Sequence, residues 1–158
     1  MDYSIDIIGD ELTEAVTESF ENLFFAEVEA CDSLDELNPD EAYLLIMVDT
    51  YKPFKGSVGL VVPKDYSEEI VMEMMGDDIE QLNDDLISDA LSEISNTVVG
   101  RFLAKVAEEQ EFALGFPSCR SWDPKVDGLE RSENSRLYAL DLEEQQIYCI
   151  LNKNIVQN

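Results

Sequence analysis

From Glu11 to Glu29 the apolar residues Leu12, Ala15, Val16, Phe20, Leu23, Phe24 and Val28 recur three or four positions apart. That spacing lines one face of an α-helix and predicts a long amphipathic one. Asp32 to Pro39 breaks the pattern and reads as a loop. Tyr43–Thr50 and Gly56–Val62 are rich in β-branched and aromatic residues on either side of Lys52-Pro53-Phe54-Lys55, which predicts two strands joined as a hairpin, the second ended by Pro63. Helical spacing returns over Ser67–Met75, with Ser67 as candidate N-cap and Gly76 as terminator. Met72, Met74 and Met75 are read there as core filling.

Leu86–Ala107 is the longest helical pattern, centred on Ile87, Leu91, Ile94, Val98 and Phe102. Phe112–Phe116 predicts a strand stopped by Pro117, followed by a loop containing Trp122, Pro124 and Gly128. Trp122 is a candidate interface anchor, although a lone loop tryptophan more often tucks against its own domain. Arg136–Leu142 and Gln146–Leu151 alternate as a hairpin turning at Glu143 and Glu144. The order helix, hairpin, helix, helix, strand, hairpin predicts an α+β fold, a mainly antiparallel sheet covered by long helices. At 158 residues and 45% hydrophobic composition, the chain fits a single domain spanning residues 1–158.

Charge narrows the chemistry. The 36 Asp and Glu against 10 Lys and Arg give a formal net charge of −26, a field that repels nucleic-acid phosphates and anionic membrane surfaces. Neither class is expected as a partner. The absence of histidine removes Ser-His-Asp triads, Cys-His pairs and His-ligated zinc. Cys31, Cys119 and Cys149 follow no C-x-x-C pattern, so no metal site or disulfide framework is expected, only buried reduced thiols. The first ten residues lack the basic start of a signal peptide. The longest apolar run, Ala42–Val48, is far short of the roughly 20 residues of a membrane span. A cytoplasmic location is the expectation.

On the Leu86–Ala107 helix, a step of about 100° per residue puts Asp89, Glu93, Asn96 and Gly100 in one stripe about 60° wide, opposite the apolar centre. Glu93 and Asn96, one turn apart, aim a carboxylate and a carboxamide at the same outside object, and Gly100 leaves room for a close approach. By themselves these are ordinary residues of a solvated helix face.

The stretch Asp89-Ala-Leu-Ser-Glu93-Ile-Ser-Asn96-Thr-Val-Val-Gly100, followed by Phe112-Ala-Leu-Gly-Phe-Pro117, resembles the signature of the CheC/CheX/FliY family of chemotaxis phosphatases. That pattern is Asp or Ser, three residues, Glu, two residues, Asn, then a downstream proline. Phe54-Lys-Gly-Ser-Val-Gly-Leu-Val-Val-Pro63 is similar to the family's hairpin strand ahead of its second helix. The resemblance implies a CheX-like or CheC-like fold and a phosphatase acting on the aspartyl phosphate of a CheY-like response regulator. Asn96 would orient the attacking water and Glu93 would pair with the regulator's active-site lysine. Asp89 and Gly100 would border the contact. It also implies that this chain binds no cofactor or metal of its own, that Mg²⁺ is carried by the partner regulator, and that the protein is a homodimer.

Twenty residues separate Asn96 from Pro117, slightly fewer than the family usually has. Two-site members repeat the motif on the first helix. Here Glu18 and Asn22 have three residues between them, one step out of register with Glu93 and Asn96, which points to a single site of the CheX type. The alternative function is a non-catalytic adaptor that binds a phosphorylated receiver domain. Arg101 and Lys105 flank the stripe and are candidate local cations for an acidic partner.

Overall fold

The structure, a computed structural model, describes residues 3–31, 40–76, 82–125, 133–142 and 145–154. The chain runs α1 (Ile5–Phe24), β1 (Val28–Cys31), β2 (Tyr43–Lys52), β3 (Gly56–Pro63), α2 (Lys64–Met75), α3 (Asp84–Ala107), β4 (Ala113–Leu114), β5 (Ser118–Trp122), β6 (Ser135–Leu142) and β7 (Gln145–Lys153). The strands form one sheet in the order β1-β6-β7-β3-β2-β4, and β5 also pairs with β2. Every pairing is antiparallel. β5 takes Tyr43–Met47 of β2 and β4 takes Thr50 and Lys52, so the two short strands follow one another along the outer edge of β2.

The period-2 pattern of the strands builds two apolar layers. Leu44, Ile46 and Val48 of β2 join Val58, Leu60 and Val62 of β3 and Ile147, Cys149 and Leu151 of β7 on the face that α1, α2 and α3 cover. The alternate residues Tyr43, Leu45, Val61, Tyr148 and Ile150 form a smaller cluster with Trp122 on the other face. Trp122 is 4% exposed and meets Tyr43 edge to face, with ring centroids 5.8 Å apart. It tucks against its own domain.

α3 is the longest helix and buries Ile87, Leu91, Ile94, Val98 and Phe102 as the periodicity predicts. Its N-terminus is capped by Asn83, whose side-chain oxygen accepts the Leu86 N–H at 2.8 Å. Asp84 and Asp85 in the first turn and Lys105 in the last complement the helix dipole.

Several boundaries differ from the sequence reading, each for a local reason. α1 begins at Ile5 and ends at Phe24, because Phe25 turns left-handed (φ 54°) and its N–H donates to Glu21 O. The chain then extends into β1, so Val28 belongs to a strand and not to the first helix. α2 starts at Lys64, directly after β3, and Ser67 is not its cap. The Ser67 hydroxyl lies inside the helix and donates back to Lys64 O. Gly76 does end α2, with φ 63° and its N–H on Met72 O. Met72, Met74 and Met75 are 57%, 36% and 40% exposed, so they do not fill the core. The strand expected over Phe112–Phe116 shrinks to Ala113–Leu114, and Pro117 precedes β5 within what the sequence reads as loop. The Asp32–Pro39 loop, Gly128, the Glu143–Glu144 turn and the Cys31 side chain lie outside the described residues.

Candidate functional site

Asp89, Glu93 and Asn96 are all exposed on α3, and Gly100, one turn further, is partly exposed. The fold therefore brings the four predicted site residues together as one stripe on the side of α3 turned away from the sheet. Their neighbours Ala90, Leu91, Ile94, Ser95, Val98 and Val99 are buried and fix the rotation of the helix. The side chains of Asp89, Glu93 and Asn96 make no hydrogen bond or ion pair with any described residue. Thr97 turns inward to its own backbone, its hydroxyl donating to Glu93 O at 3.0 Å. A Cβ built on Gly100 meets nothing within 4 Å, so no internal packing demands glycine there.

Each flank of the stripe is fixed to a different element. On one side Arg101 donates to Glu18 of α1 at 3.2 Å, and Lys105 contacts both Glu14 and Glu18 at 3.1 Å. Lys105, chiefly by its hydrogen bond, holds the Glu18 carboxyl below its ordinary value, and Glu18 in turn raises the Lys105 ammonium. These contacts change two sequence expectations. Glu18 is occupied as an ion-pair partner, which accords with a single motif on α3. Arg101 and Lys105 are neutralised within the chain and are not free cations for a partner. On the other side Ser88 lies against β5, lining one cleft together with Cys119.

The stripe lies on the solvent side of α3. Two clefts, one of ≈290 Å³ between α1, α2 and the β6–β7 end and one of ≈280 Å³ at the N-terminal end of α3, include neither Glu93 nor Asn96. A small molecule is normally enclosed by a concave site. Glu93 and Asn96 instead project a carboxylate and a carboxamide outward from an exposed helix face. Burial pushes the Cys149 thiol up to about 12 and raises that of Cys119, so neither is poised as a nucleophilic thiolate. Among the described residues no group of three or more Cys, Asp or Glu side chains is arranged to hold a metal. No helix there is long and apolar enough to cross a membrane.

Phe116 is a residue whose position sequence reading missed. Placed there at the end of a strand, it stands 97% exposed in the loop between β4 and β5. The available signal was Gly115-Phe116-Pro117, a turn composition around an aromatic residue.

A sequence model of the family described as "Chemotaxis phosphatase CheX" matches residues 44–124, just over half of the chain and all of α3. No curated protein matches the sequence. Among solved structures, chemotaxis protein CheX from Desulfovibrio desulfuricans is similar at 15% identity and TM-score 0.72, covering 93% of this chain and 99% of that one. A chain of the Borrelia burgdorferi CheX–CheY–BeF₃–Mg²⁺ complex is similar at 12% identity and TM-score 0.73, covering 92% and 97%. FliY from Thermotoga maritima is similar at 13% identity and TM-score 0.62, covering 96% and 91%. At these identities the structures show a shared fold.

Proposed function

Since this chain belongs to the CheX family of chemotaxis phosphatases, we propose that it hydrolyses the aspartyl phosphate of a CheY-like response regulator, using Asn96 and Glu93. One observation carries the reading: both side chains stand exposed on one helix face with no hydrogen-bond or ion-pair partner among the described residues. The Borrelia neighbour, solved as a CheX–CheY complex, supports a receiver domain as the partner.

An acyl phosphate is already reactive, so the phosphatase need supply no nucleophile of its own, only a positioned water. The Asn96 carboxamide enters the regulator's phosphate pocket, and its oxygen accepts a hydrogen bond from the attacking water. The water oxygen bonds to phosphorus as the bond to the aspartyl oxygen breaks, giving inorganic phosphate and the free aspartate. The regulator's own Mg²⁺, when bound, neutralises charge on the phosphoryl oxygens. Glu93, one turn before Asn96, pairs with the regulator's active-site lysine and sets the docking angle. Asp89 borders the contact and Gly100 leaves space for the regulator's surface. The protein acts in the cytoplasm as a homodimer.

The test is phosphate release from acetyl-phosphate-charged CheY-like regulators in Mg²⁺, with and without this chain. Acceleration supports the proposal. Binding of a beryllofluoride-activated regulator without acceleration replaces it with the adaptor reading.

A further inference from the structure

Phe116 has the largest exposure of any large apolar side chain among the described residues, 97%. An aromatic ring left in water forgoes a favourable burial, and this one is held outward on a fixed base. The Gly115 N–H donates to Asp49 O at 2.8 Å, and Ser118 pairs with Met47 two residues beyond Phe116. The Tyr51 hydroxyl lies 3.1 Å from the point a Cβ on Gly115 would occupy. That glycine lets a second aromatic ring, itself 52% exposed, cross the loop beside Phe116. Pro117 limits the backbone on the other side.

The height of this loop along α3 follows from two fixed points. Near the start of α3, Ser88 lines one cleft together with Cys119. At its end, the chain passes through Glu108–Phe112 to Ala113, which pairs with Lys52. Traced back from Trp122 to Ala113, β5 and β4 therefore climb α3 from its start to its end. The three residues from Cys119 back to Phe116 span about 10 Å, which is about seven residues of helix. Counted from Ser88, that is the height of Ser95 and Asn96. Around the helix, steps of about 100° put Asn96 about 80° from Ser88 and Glu93 about 140° from it. Asn96 thus lies on the β4–β5 side of the stripe, level with Phe116, and Glu93 lies on the α1 side.

From this placement we infer that Phe116 is an apolar docking residue for the phosphorylated receiver domain, covered when Asn96 enters the receiver's phosphate pocket. The inference rests on the function proposed above and adds a residue that governs affinity and the choice of regulator. A receiver seated on the stripe deep enough to admit the Asn96 carboxamide brings the rim of its pocket over the Asn96 flank, towards the β4–β5 loop that carries the exposed ring. Phe116 touches no reacting atom, so it acts on KM and leaves kcat alone. A matching regulator carries an apolar surface beside its phosphate pocket.

The test measures phosphate release against the concentration of charged regulator for the wild-type chain, Phe116→Ser, Phe116→Tyr and Ile7→Ser. Ile7, 42% exposed in the first turns of α1, between Asp6 on Arg136 and Gly9 on Tyr138 of β6, serves as an exposed apolar control on a different element. Truncating a central apolar contact typically costs about tenfold in affinity. Phe116→Ser should raise KM by that amount with kcat unchanged, Phe116→Tyr should restore KM, and Ile7→Ser should match the wild type. Turnover that Asn96→Ala abolishes but Phe116→Ser leaves at wild-type KM overturns the inference and spares the phosphatase reading. A fall in kcat without a rise in KM also overturns it. If the wild type binds a beryllofluoride-activated regulator without turnover, the same comparison is read on Kd. Neither binding nor turnover with any regulator overturns the phosphatase reading, and this inference with it.

Discussion

Gly100→Ala separates the stability of α3 from the use of its exposed face. Glycine inside a helix costs about 0.8–1 kcal/mol relative to alanine. A Cβ at position 100 meets nothing within 4 Å, so no clash offsets that gain. The variant should be more stable by about 0.8–1 kcal/mol, which for a chain of this size raises Tm by about 2–4 °C. The same methyl group stands one turn beyond Asn96 on the stripe. If a regulator's surface approaches there as closely as a packed interface, the added methyl costs about 1–3 kcal/mol of docking. KM should then rise by about 5- to 150-fold while kcat falls little. Thermal unfolding by circular dichroism reads the first effect and steady-state phosphate release reads the second. A Tm that stays level or drops refutes the open-space argument. A raised Tm with wild-type KM refutes the idea that a partner comes close at Gly100.

Ile94 is 2% exposed in the centre of the α3 face that covers the sheet. Ile94→Asp forfeits about 2–3 kcal/mol of burial and strands a carboxylate in the core, so the variant should be unfolded at neutral pH by circular dichroism. A cooperative melt near the wild-type Tm contradicts the packing described. The Glu18–Lys105–Arg101 cluster is partly exposed, and breaking it with Lys105→Met should cost about 0.5–1 kcal/mol at pH 7. The Glu18 carboxyl is held below its ordinary 4.5, so its contribution is complete above that pH and is lost as pH falls through the lowered value. The Tm gap between wild type and variant should therefore narrow in acid, and a gap unchanged at pH 2 to 3 excludes Glu18 as the partner. With Arg101 and Lys105 neutralised inside the chain and a net charge of −26, encounter with an acidic regulator should be slowed by repulsion. Phosphatase rates should rise as salt increases from low values. A steady fall instead shows that the docking face is locally basic or that the regulator is not acidic.

The elements legible in the sequence were those whose periodicity outlasts their ends. α3, the β2–β3 hairpin and the β6–β7 pair each carry several consecutive buried positions, and their apolar residues sit where the spacing placed them. β1 was hidden because Val28 continues the helical spacing of α1, and only the left-handed Phe25 breaks the helix. β5 was hidden because Ser118-Cys-Arg-Ser-Trp122 has one fully buried residue and draws its strand character from pairing with β2, a long-range contact without a local signal. The methionines of α2 show the same limit: their helical spacing was right, but nothing in it says whether a neighbouring element covers them. At the site, the rotation of Asp89, Glu93 and Asn96 onto one face follows from α3 alone and was readable. The engagement of Glu18, Arg101 and Lys105 with one another, and the exposure of Phe116 in the β4–β5 loop, depend on how α1 packs on α3 and how β4 and β5 pair with β2.

The central claim is that the Asn96 carboxamide orients the water that removes the regulator's phosphate. Its most direct measurement is the dephosphorylation rate of an acetyl-phosphate-charged CheY-like regulator at saturating concentration, comparing the wild-type chain with Asn96→Ala. Asn96 is exposed, so the variant should fold like the wild type and still bind a beryllofluoride-activated regulator. The account predicts that this folded, binding-competent variant leaves the regulator at its intrinsic rate of phosphate loss. Acceleration by Asn96→Ala equal to that by the wild type would contradict it.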